Sequence, residues 1–186
     1  MYLTGWLIAL AVLVFWAVGA YNRLVRLRSS AIQAFGALDA ELLRRTALLG
    51  EYDAAVSGPR MLQDAQMYDA LRASGTQFAA SLAVMRSRPL DASAGAALVA
   101  GRKVLDAAWQ ALADASTQAA KEGDEGESGG NAVLNSLVER SVYQGTQIDF
   151  AIAQYNTAVA HYNKAVTQFP ANLLAWVFGF KQALML

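Results

Sequence analysis

The chain of 186 residues carries 15 basic and 15 acidic side chains, so its formal net charge is +0 and no global field attracts nucleic acid. It contains no cysteine and a single histidine, His161, which excludes disulfides, thiol chemistry and a metal site with several histidine ligands. Hydrophobic residues make up 55% of the chain and charged residues only 16%, against roughly 25% charged in a typical soluble domain. Part of the apolar surface is therefore predicted to face something other than water.

The first segment, residues 2–20, is uncharged and long enough to cross a bilayer as a helix, which takes about 20 residues. Trp6 and Tyr21 lie near its ends, where aromatic side chains favour the headgroup region. The competing interpretation is a cleaved signal peptide, because the segment ends in the small residues VGA. A positive region before the apolar run is missing, and the run exceeds the usual length of about 7–15 residues. We therefore predict an uncleaved transmembrane anchor.

The charges that flank the anchor predict its orientation. Arg23, Arg26 and Arg28 follow the span closely, and no charged side chain precedes it. The positive-inside rule then puts the amino terminus outside and the remaining chain in the cytoplasm. The same arginines are candidate membrane-surface residues, because each is placed to contact anionic lipid headgroups. We thus predict a single-pass protein of the cytoplasmic membrane, with membrane lipid as one of its partners.

Beyond the anchor, proline occurs only at positions 59, 89 and 170, and no alternating strand pattern is present. Apolar residues instead recur at spacings of four and three, the period of helices that pack in a bundle. The prolines and the acidic, glycine-rich stretch KEGDEGESGGN divide this pattern into four segments. The predicted helices cover residues 21–57, 60–87, 91–120 and 132–169, and the predicted loop covers residues 121–131.

The fold class predicted from these segments is all-α. The transmembrane helix continues into an antiparallel up-down-up-down four-helix bundle over residues 21–170, because short links join antiparallel neighbours. Helix four must then return to the membrane and deliver the apolar tail, residues 171–186, to the bilayer surface. This tail is too short to span, and Trp176, Phe178 and Phe180 are its candidate membrane-surface residues. The acidic loop is either a docking segment or a spacer.

A Tyr-Asn pair occurs three times, twice in helix four one heptad apart and once just after the anchor. The tyrosines of helix four lie on the core-facing seam, and the asparagines flank it, where an amide can bond across to another helix and fix the register. The alternative is contact with a ligand. The topology further predicts that the first copy meets the third. The residues are Tyr21, Asn22, Tyr155, Asn156, Tyr162 and Asn163.

Two arginines, Arg28 and Arg45, occupy core-facing positions of helix one. Either their stems lie along the bundle with the guanidinium at its rim, or they pair with a carboxylate of helix four such as Asp149 or Glu139. Glu41 precedes Arg45 by four residues, which also permits an ion pair within the helix. The sequence leaves these alternatives open.

The segments YNRLVRLRSSAIQAFGALDAELLRRTALL and IDFAIAQYNTAVAHYNKAVTQFPANLLAWVFGF resemble the LemA family, over about residues 1–56 and 132–180. The resemblance implies a single-pass membrane protein with an antiparallel cytoplasmic four-helix bundle, no established enzymatic activity and a largely undefined role. The chain departs from the family pattern at Phe35-Gly36, Ala47, Gly50-Glu51 and Gln144-Gly145-Thr146. The best matches are Arg44-Arg45, Tyr155-Asn156, Tyr162-Asn163 and Phe169-Pro170, and the first three of these pairs are candidate packing or interaction residues.

The sequence contains no phosphate-binding glycine loop after a strand, no cysteine nucleophile and no Glu-x-x-His motif for a di-iron bundle. We therefore predict no catalytic residue, no cofactor and no metal. The leading hypothesis is a non-enzymatic interaction or scaffold protein, with an unknown protein partner or a second copy of the chain. The alternative is lipid organisation or membrane remodelling by residues 23–28 and the tail. A small-molecule sensor and an unrecognised enzyme are the remaining readings.

Overall fold

A computed structural model describes residues 2–56, 65–121 and 128–186. These residues form five helices and no strand, which confirms the all-α prediction. The seven-residue fifth helix was not predicted, and it lies within the tail. The helices are α1 (Tyr2–Val56), α2 (Ala65–Ser87), α3 (Ala92–Lys121), α4 (Ser128–Thr167) and α5 (Ala171–Val177).

Helix α1 runs without a break from the apolar segment into the bundle. Its first part is exposed, with Trp6 at 78% and Phe15 at 81% of full accessibility, and burial begins at Leu24. Within the described residues, α1 is the one helix long and apolar enough to cross a membrane; its most apolar window has a mean hydropathy of 1.9 and no buried residue. A single helix therefore carries both the candidate span and one side of the bundle.

The bundle helices run up, down, up and down. Helices α1 and α4 are antiparallel, because Phe35 packs against Tyr155 while Glu51, further along α1, pairs with Arg140, earlier in α4. Helix α2 returns along α1, where Arg86 binds Asp39, and a short turn leads it into α3. The chain thus forms the antiparallel bundle expected from its short links.

The core follows the predicted spacing of four and three. Phe78 and Leu105 are fully buried where α2 and α3 pack, and Gly101 permits this close approach, because an added Cβ would lie 2.8 Å from the Ser81 hydroxyl oxygen. The largest fully buried side chains are Leu24, Leu38, Leu42, Leu48, Phe78, Met85, Leu105, Ile148, Tyr155, Val159 and Tyr162.

Some helix boundaries differ from those predicted. Helix α4 begins at Ser128, inside the predicted loop, because extending a helix that is already nucleated costs only the propensity of the added residues. It ends at Thr167, two residues earlier than predicted. Residues 57–64 and 122–127, which include the predicted start of helix two and most of the acidic loop, lie outside the described residues.

Helix α5 ends in a Schellman motif. Gly179 adopts a positive φ of 71°, the Phe180 amide donates to the Ala175 carbonyl at 2.8 Å, and the Gly179 amide donates to the Trp176 carbonyl at 3.4 Å. The chain then runs back along the bundle as residues 180–186, which we call the strap. This half of the tail packs against the bundle, and the position of the tail at the bilayer surface stays a prediction.

Candidate functional site

The strap is held by the two asparagines of helix α4, which we call the asparagine ladder. The Asn156 side-chain amide donates to the Leu186 carbonyl at 2.7 Å, and its oxygen accepts from the Leu186 amide at 2.8 Å. Asn163 forms the same pair of bonds with Ala183, both at 2.8 Å. Each asparagine thus satisfies both backbone groups of one strap residue, instead of fixing the register between helices as the sequence suggested.

The spacing of the ladder fits an extended peptide. Residues seven apart in an α-helix are separated by about 10.5 Å along the axis, at 1.5 Å per residue. Ala183 and Leu186 are three residues apart, which spans about 10 Å in extended chain. The distance between the two asparagines therefore matches the length of three strap residues, so both asparagines can bind the strap at the same time.

The strap occupies a groove between α3 and α4. An added Cβ on Gly95 of α3 would lie 3.3 Å from Leu184 Cδ2 and 3.4 Å from Leu184 Cβ, so a larger residue there would crowd the strap. Ala183 is buried, and Leu186 is half-buried at the edge of an apolar cavity of about 240 Å³ that Leu38 and Leu98 also line. The groove thus holds the strap through its side chains as well as its backbone.

The tyrosines of the same pairs are packing residues. Tyr155 is fully buried, packs edge-on against Phe35 and donates from its hydroxyl to the Pro89 carbonyl at 3.1 Å, which ties α4 to the turn between α2 and α3. Burial raises the pKa of Tyr155 to about 12. Burial also raises the pKa of Tyr162, and the nearby Arg28 guanidinium opposes that shift.

The first Tyr-Asn pair lies beside the strap. The Tyr21 ring packs against Phe178 and Phe180, with ring centroids 4.8 Å and 6.0 Å away, and Asn22 is exposed on α1. Tyr21 and Tyr162 line one cavity of about 440 Å³. The first and third copies therefore approach each other through their tyrosines, while Asn163 is bound to the strap.

The buried arginine of α1 pairs with α3. Arg45 is only 5% exposed; it donates to the Ser141 carbonyl at 2.7 Å and to Asp106 Oδ1 at 2.6 Å. Burial lowers the pKa of Arg45, and the Asp106 carboxylate opposes this shift. The carboxylate partner of Arg45 is Asp106 of α3, and not Asp149 or Glu139 of α4, which the sequence offered as one of two alternatives. Arg28 is exposed at the rim, as the first alternative stated.

The Arg45 pair is the buried end of a chain of charges. Arg102 lies 3.2 Å from Asp106 and 2.5 Å from Asp149, so the chain joins α1, α3 and α4. Trp109 packs beside it, with its ring centroid 5.9 Å from Arg45 Cζ. On the exposed side of α1, Arg44 pairs with Glu41 at 2.6 Å, so Glu41 does not form the pair with Arg45 that the sequence permits. The two adjacent arginines therefore differ completely in environment.

The remaining candidate residues lie where the bundle meets the apolar part of α1. Arg23 and Arg26 are exposed on α1, and Trp16, Arg23 and Phe169 line a cavity of about 360 Å³. Helix α5 turns Ala175 inwards and leaves an apolar outer face. The exposed side chains of this face and its flanks are Phe169, Leu173, Trp176, Val177 and Phe178, with Trp176 84% exposed.

Within the described ranges, no group of three or more His, Asp or Glu side chains is arranged to hold a metal ion. His161 is exposed on α4, beside the buried Tyr162. A cavity of about 260 Å³ lies between α1 and α2 at the other end of the bundle and is lined by Tyr52 and Tyr68. The polar groups that the structure brings together therefore hold structural elements: the ladder holds the strap, and the charge chain joins three helices.

The LemA family model matches residues 130–186, which is less than a third of the chain. No curated protein and no solved structure gives a significant match. The matched residues include most of α4, the asparagine ladder, α5 and the strap. Together with the all-α fold and the apolar amino-terminal helix, this match supports the assignment of the chain to the LemA family.

Proposed function

We propose that this protein is a non-enzymatic scaffold, held in the cytoplasmic membrane by residues 2–20, with its amino terminus outside and its bundle in the cytoplasm. The observation that carries the proposal is the unbroken helix Tyr2–Val56. At 1.5 Å per residue a helix of this length extends about 80 Å, of which a bilayer core takes about 30 Å. The rest is one side of the bundle, so the bundle is fixed to its anchor without a flexible linker.

The outer surface of the bundle offers a place for a protein partner. Tyr143 and Phe150 are one heptad apart on the outside of α4, and they are 67% and 65% exposed. Val142 beside them is 66% exposed. Exposed aromatic side chains grouped on one face are typical of protein interaction sites. We call this group the α4 outer stripe.

Photocross-linking from the α4 outer stripe tests the scaffold proposal. A photoreactive amino acid replaces Phe150 or Tyr143 in the full-length chain, and a matched variant carries it at Gln77, which is exposed on α2. We expect discrete cross-linked products of higher mass from both stripe positions and none from Gln77. The same product pattern from all positions, or no product from any, would argue against a docking role for this face.

The second candidate function is lipid organisation at the cytoplasmic leaflet. It is favoured by the apolar outer face of α5, which lies beside the end of the apolar segment, next to Arg23. A short helix with aromatic residues on one face and arginines nearby suits the membrane interface. In this function α5 would contact the lipids of the leaflet, and the bundle would stay attached to the membrane through α1.

The depth of α5 in the bilayer tests this candidate, because the chain contains no cysteine and a single engineered one can carry a spin label. In the full chain reconstituted in vesicles, we expect the label of Trp176→Cys to collide with oxygen far more than with a water-soluble nickel complex. The label of Gln77→Cys should show the opposite preference. Equal access of the nickel complex to both labels would exclude a bilayer position for α5.

A further inference from the structure

We propose that the groove between α3 and α4 is a peptide-binding site that accepts the strap of a second copy of this chain in exchange for the chain's own. The groove already shows the chemistry of its occupant, because residues 183–186 of the same chain are seated in it. A second copy carries the identical segment. On exchange, only the chain that supplies the strap changes, and the contacts between strap and groove stay the same.

The asparagine ladder binds backbone groups only. Asn156 and Asn163 each form one bond to a carbonyl and one bond from an amide of the strap. Such bonds are independent of side-chain identity, as when an extended peptide adds to a sheet edge. Any extended segment with the right spacing satisfies them equally well, whether it belongs to the same molecule or to its neighbour.

The walls of the groove add a side-chain requirement. Gly95 leaves room for the strap to pass close to α3, and Ala183 is 7% exposed, so the groove takes a small residue at that position. Three residues later Leu186 lines the apolar cavity together with Leu98. The site therefore favours a small residue followed three positions later by a large apolar one. The strap has this pattern, so a second copy is the occupant that the groove fits.

The connection to the strap permits exchange. Gly179 ends α5 in the left-handed conformation, and Lys181 and Gln182 after it are exposed. Residues 179–186 reach about 25 Å when extended, so the strap is long enough to enter the groove of an adjacent molecule. Exchange of a short segment that keeps its native contacts is a low-cost route to a dimer, and confinement in one bilayer raises the effective concentration of neighbours.

This inference goes beyond the proposed function, because a bundle can hold a protein partner at the membrane whether or not its straps exchange. The two are tested on different surfaces. The scaffold experiment uses the α4 outer stripe, and the exchange experiment uses the groove. Failure of one therefore leaves the outcome of the other intact.

A disulfide assay tests the exchange, because the chain lacks cysteine. The Cβ atoms of positions 95 and 184 would lie 3.4 Å apart, close to the range of about 3.5–4.5 Å in disulfides. Full-length Gly95→Cys and Leu184→Cys chains with different affinity tags are co-reconstituted in vesicles and oxidised mildly. We expect a disulfide-linked heterodimer that carries both tags. The double variant Gly95→Cys/Leu184→Cys, diluted to one chain per vesicle, should close an internal disulfide.

The asparagine ladder supplies the specificity control. In a full chain that carries Gly95→Cys together with Ala183→Glu, which keeps the chain's own strap out of the buried position and so removes the competitor, Asn156→Ala/Asn163→Ala should reduce the heterodimer about tenfold, and Asn135→Ala on the same helix should leave it unchanged. An internal disulfide without a heterodimer would show that the strap never leaves its own bundle, and this would overturn the proposal. A heterodimer unaffected by the loss of both asparagines would arise from random collision, and this would overturn it too. If neither the heterodimer nor the internal disulfide formed, the placement of the strap in the groove would be contradicted.

Discussion

Two regions of the bundle are held together by different chemistry. In the region nearer the apolar part of α1, the ladder residues Asn156 and Asn163 bind the backbone of a strap that lies outside the four helices. Further along α1, the guanidinium of Arg45 is buried among the helices themselves, with Asp106 and the Ser141 carbonyl as its partners. The first region is held by amide hydrogen bonds to the backbone of one short segment, and the second by a buried charge with its partners.

This difference separates local opening from global unfolding. We expect the strap to detach while the four helices keep their core, because its contacts are made by a short segment outside those helices. Arg45 has no such freedom, since loss of its partner leaves a charge in the interior. Substitutions at the buried Arg45 pair should therefore lower the stability of the whole bundle, and substitutions in the ladder should act mainly on the strap.

The largest effect is expected at the buried charge. Asp106→Ala removes the carboxylate that Arg45 contacts and should lower the free energy of unfolding by about 2–3 kcal/mol. This lies below the full cost of a stranded charge because the Asp106 side chain is 41% exposed. Urea denaturation of the full chain in detergent, followed by circular dichroism, measures the change. Asp149→Ala at the exposed end of the charge chain is the matched control and should cost about 1 kcal/mol or less. Equal losses would contradict the claim that the buried Arg45 charge depends on Asp106.

The next effect concerns the ladder. Asn156→Ala/Asn163→Ala should lower the free energy of unfolding by about 1–2 kcal/mol, because the lost hydrogen bonds are offset by the freedom that the strap regains. Hydrogen exchange gives the sharper readout: the amides of Ala183 and Leu186 should exchange much faster, while those of the α1 and α4 core keep their protection. Asn135→Ala should change neither quantity. Faster exchange throughout α4 would mean that the strap is part of the core.

A smaller effect is expected from alkaline pH. Burial raises the pKa of Tyr155 from 10.0 to about 12 in the folded chain, so the unfolded state loses this proton first. The contribution of Tyr155 to stability is complete below pH 10 and is lost as the pH rises through about 12. Tyr155→Phe should remove this part of the dependence of the free energy of unfolding on pH. Stability curves for both chains over this range provide the measurement, and parallel curves would contradict the assignment.

The smallest effect is expected on the bundle surface. The hydrogen bond from Arg140 lowers the pKa of Glu51, so any stabilisation by this pair is present above the ordinary value of 4.5 and lost as the pH falls. Both side chains are about half exposed, and water screens such pairs. Glu51→Gln should therefore leave the urea midpoint at neutral pH within experimental error. A drop comparable to that of Asp106→Ala would contradict the distinction between surface and buried charge.

The heptad spacing predicted the helices and much of the core, because apolar periodicity is a property of each helix alone. Tyr155 and Tyr162 are buried where the seam of α4 placed them. The partner of Arg45 could not be predicted in this way, since it depends on the register of α1 against α3. That register is fixed only when all four helices pack together.

The strap was missed for a different reason. Its bonds join side chains of α4 to the backbone of residues 20 and 30 positions later, and backbone groups leave no pattern in the sequence. The heptad spacing of the two asparagines is visible in the sequence, but it fits both a bond across helices and a bond to an extended chain. Gly179 was the available signal, because a glycine after an apolar helix is typical of a helix end followed by a reversal of the chain.

The side of the membrane on which the bundle lies is the most direct test of the account. Asn135→Cys puts a single cysteine at an exposed position of α4 in a chain that has no other. Labelling with a membrane-impermeant maleimide then compares intact cells with inverted membrane vesicles. A cytoplasmic bundle predicts labelling in inverted vesicles and protection in intact cells. Labelling in intact cells would place the bundle outside and contradict the proposed scaffold.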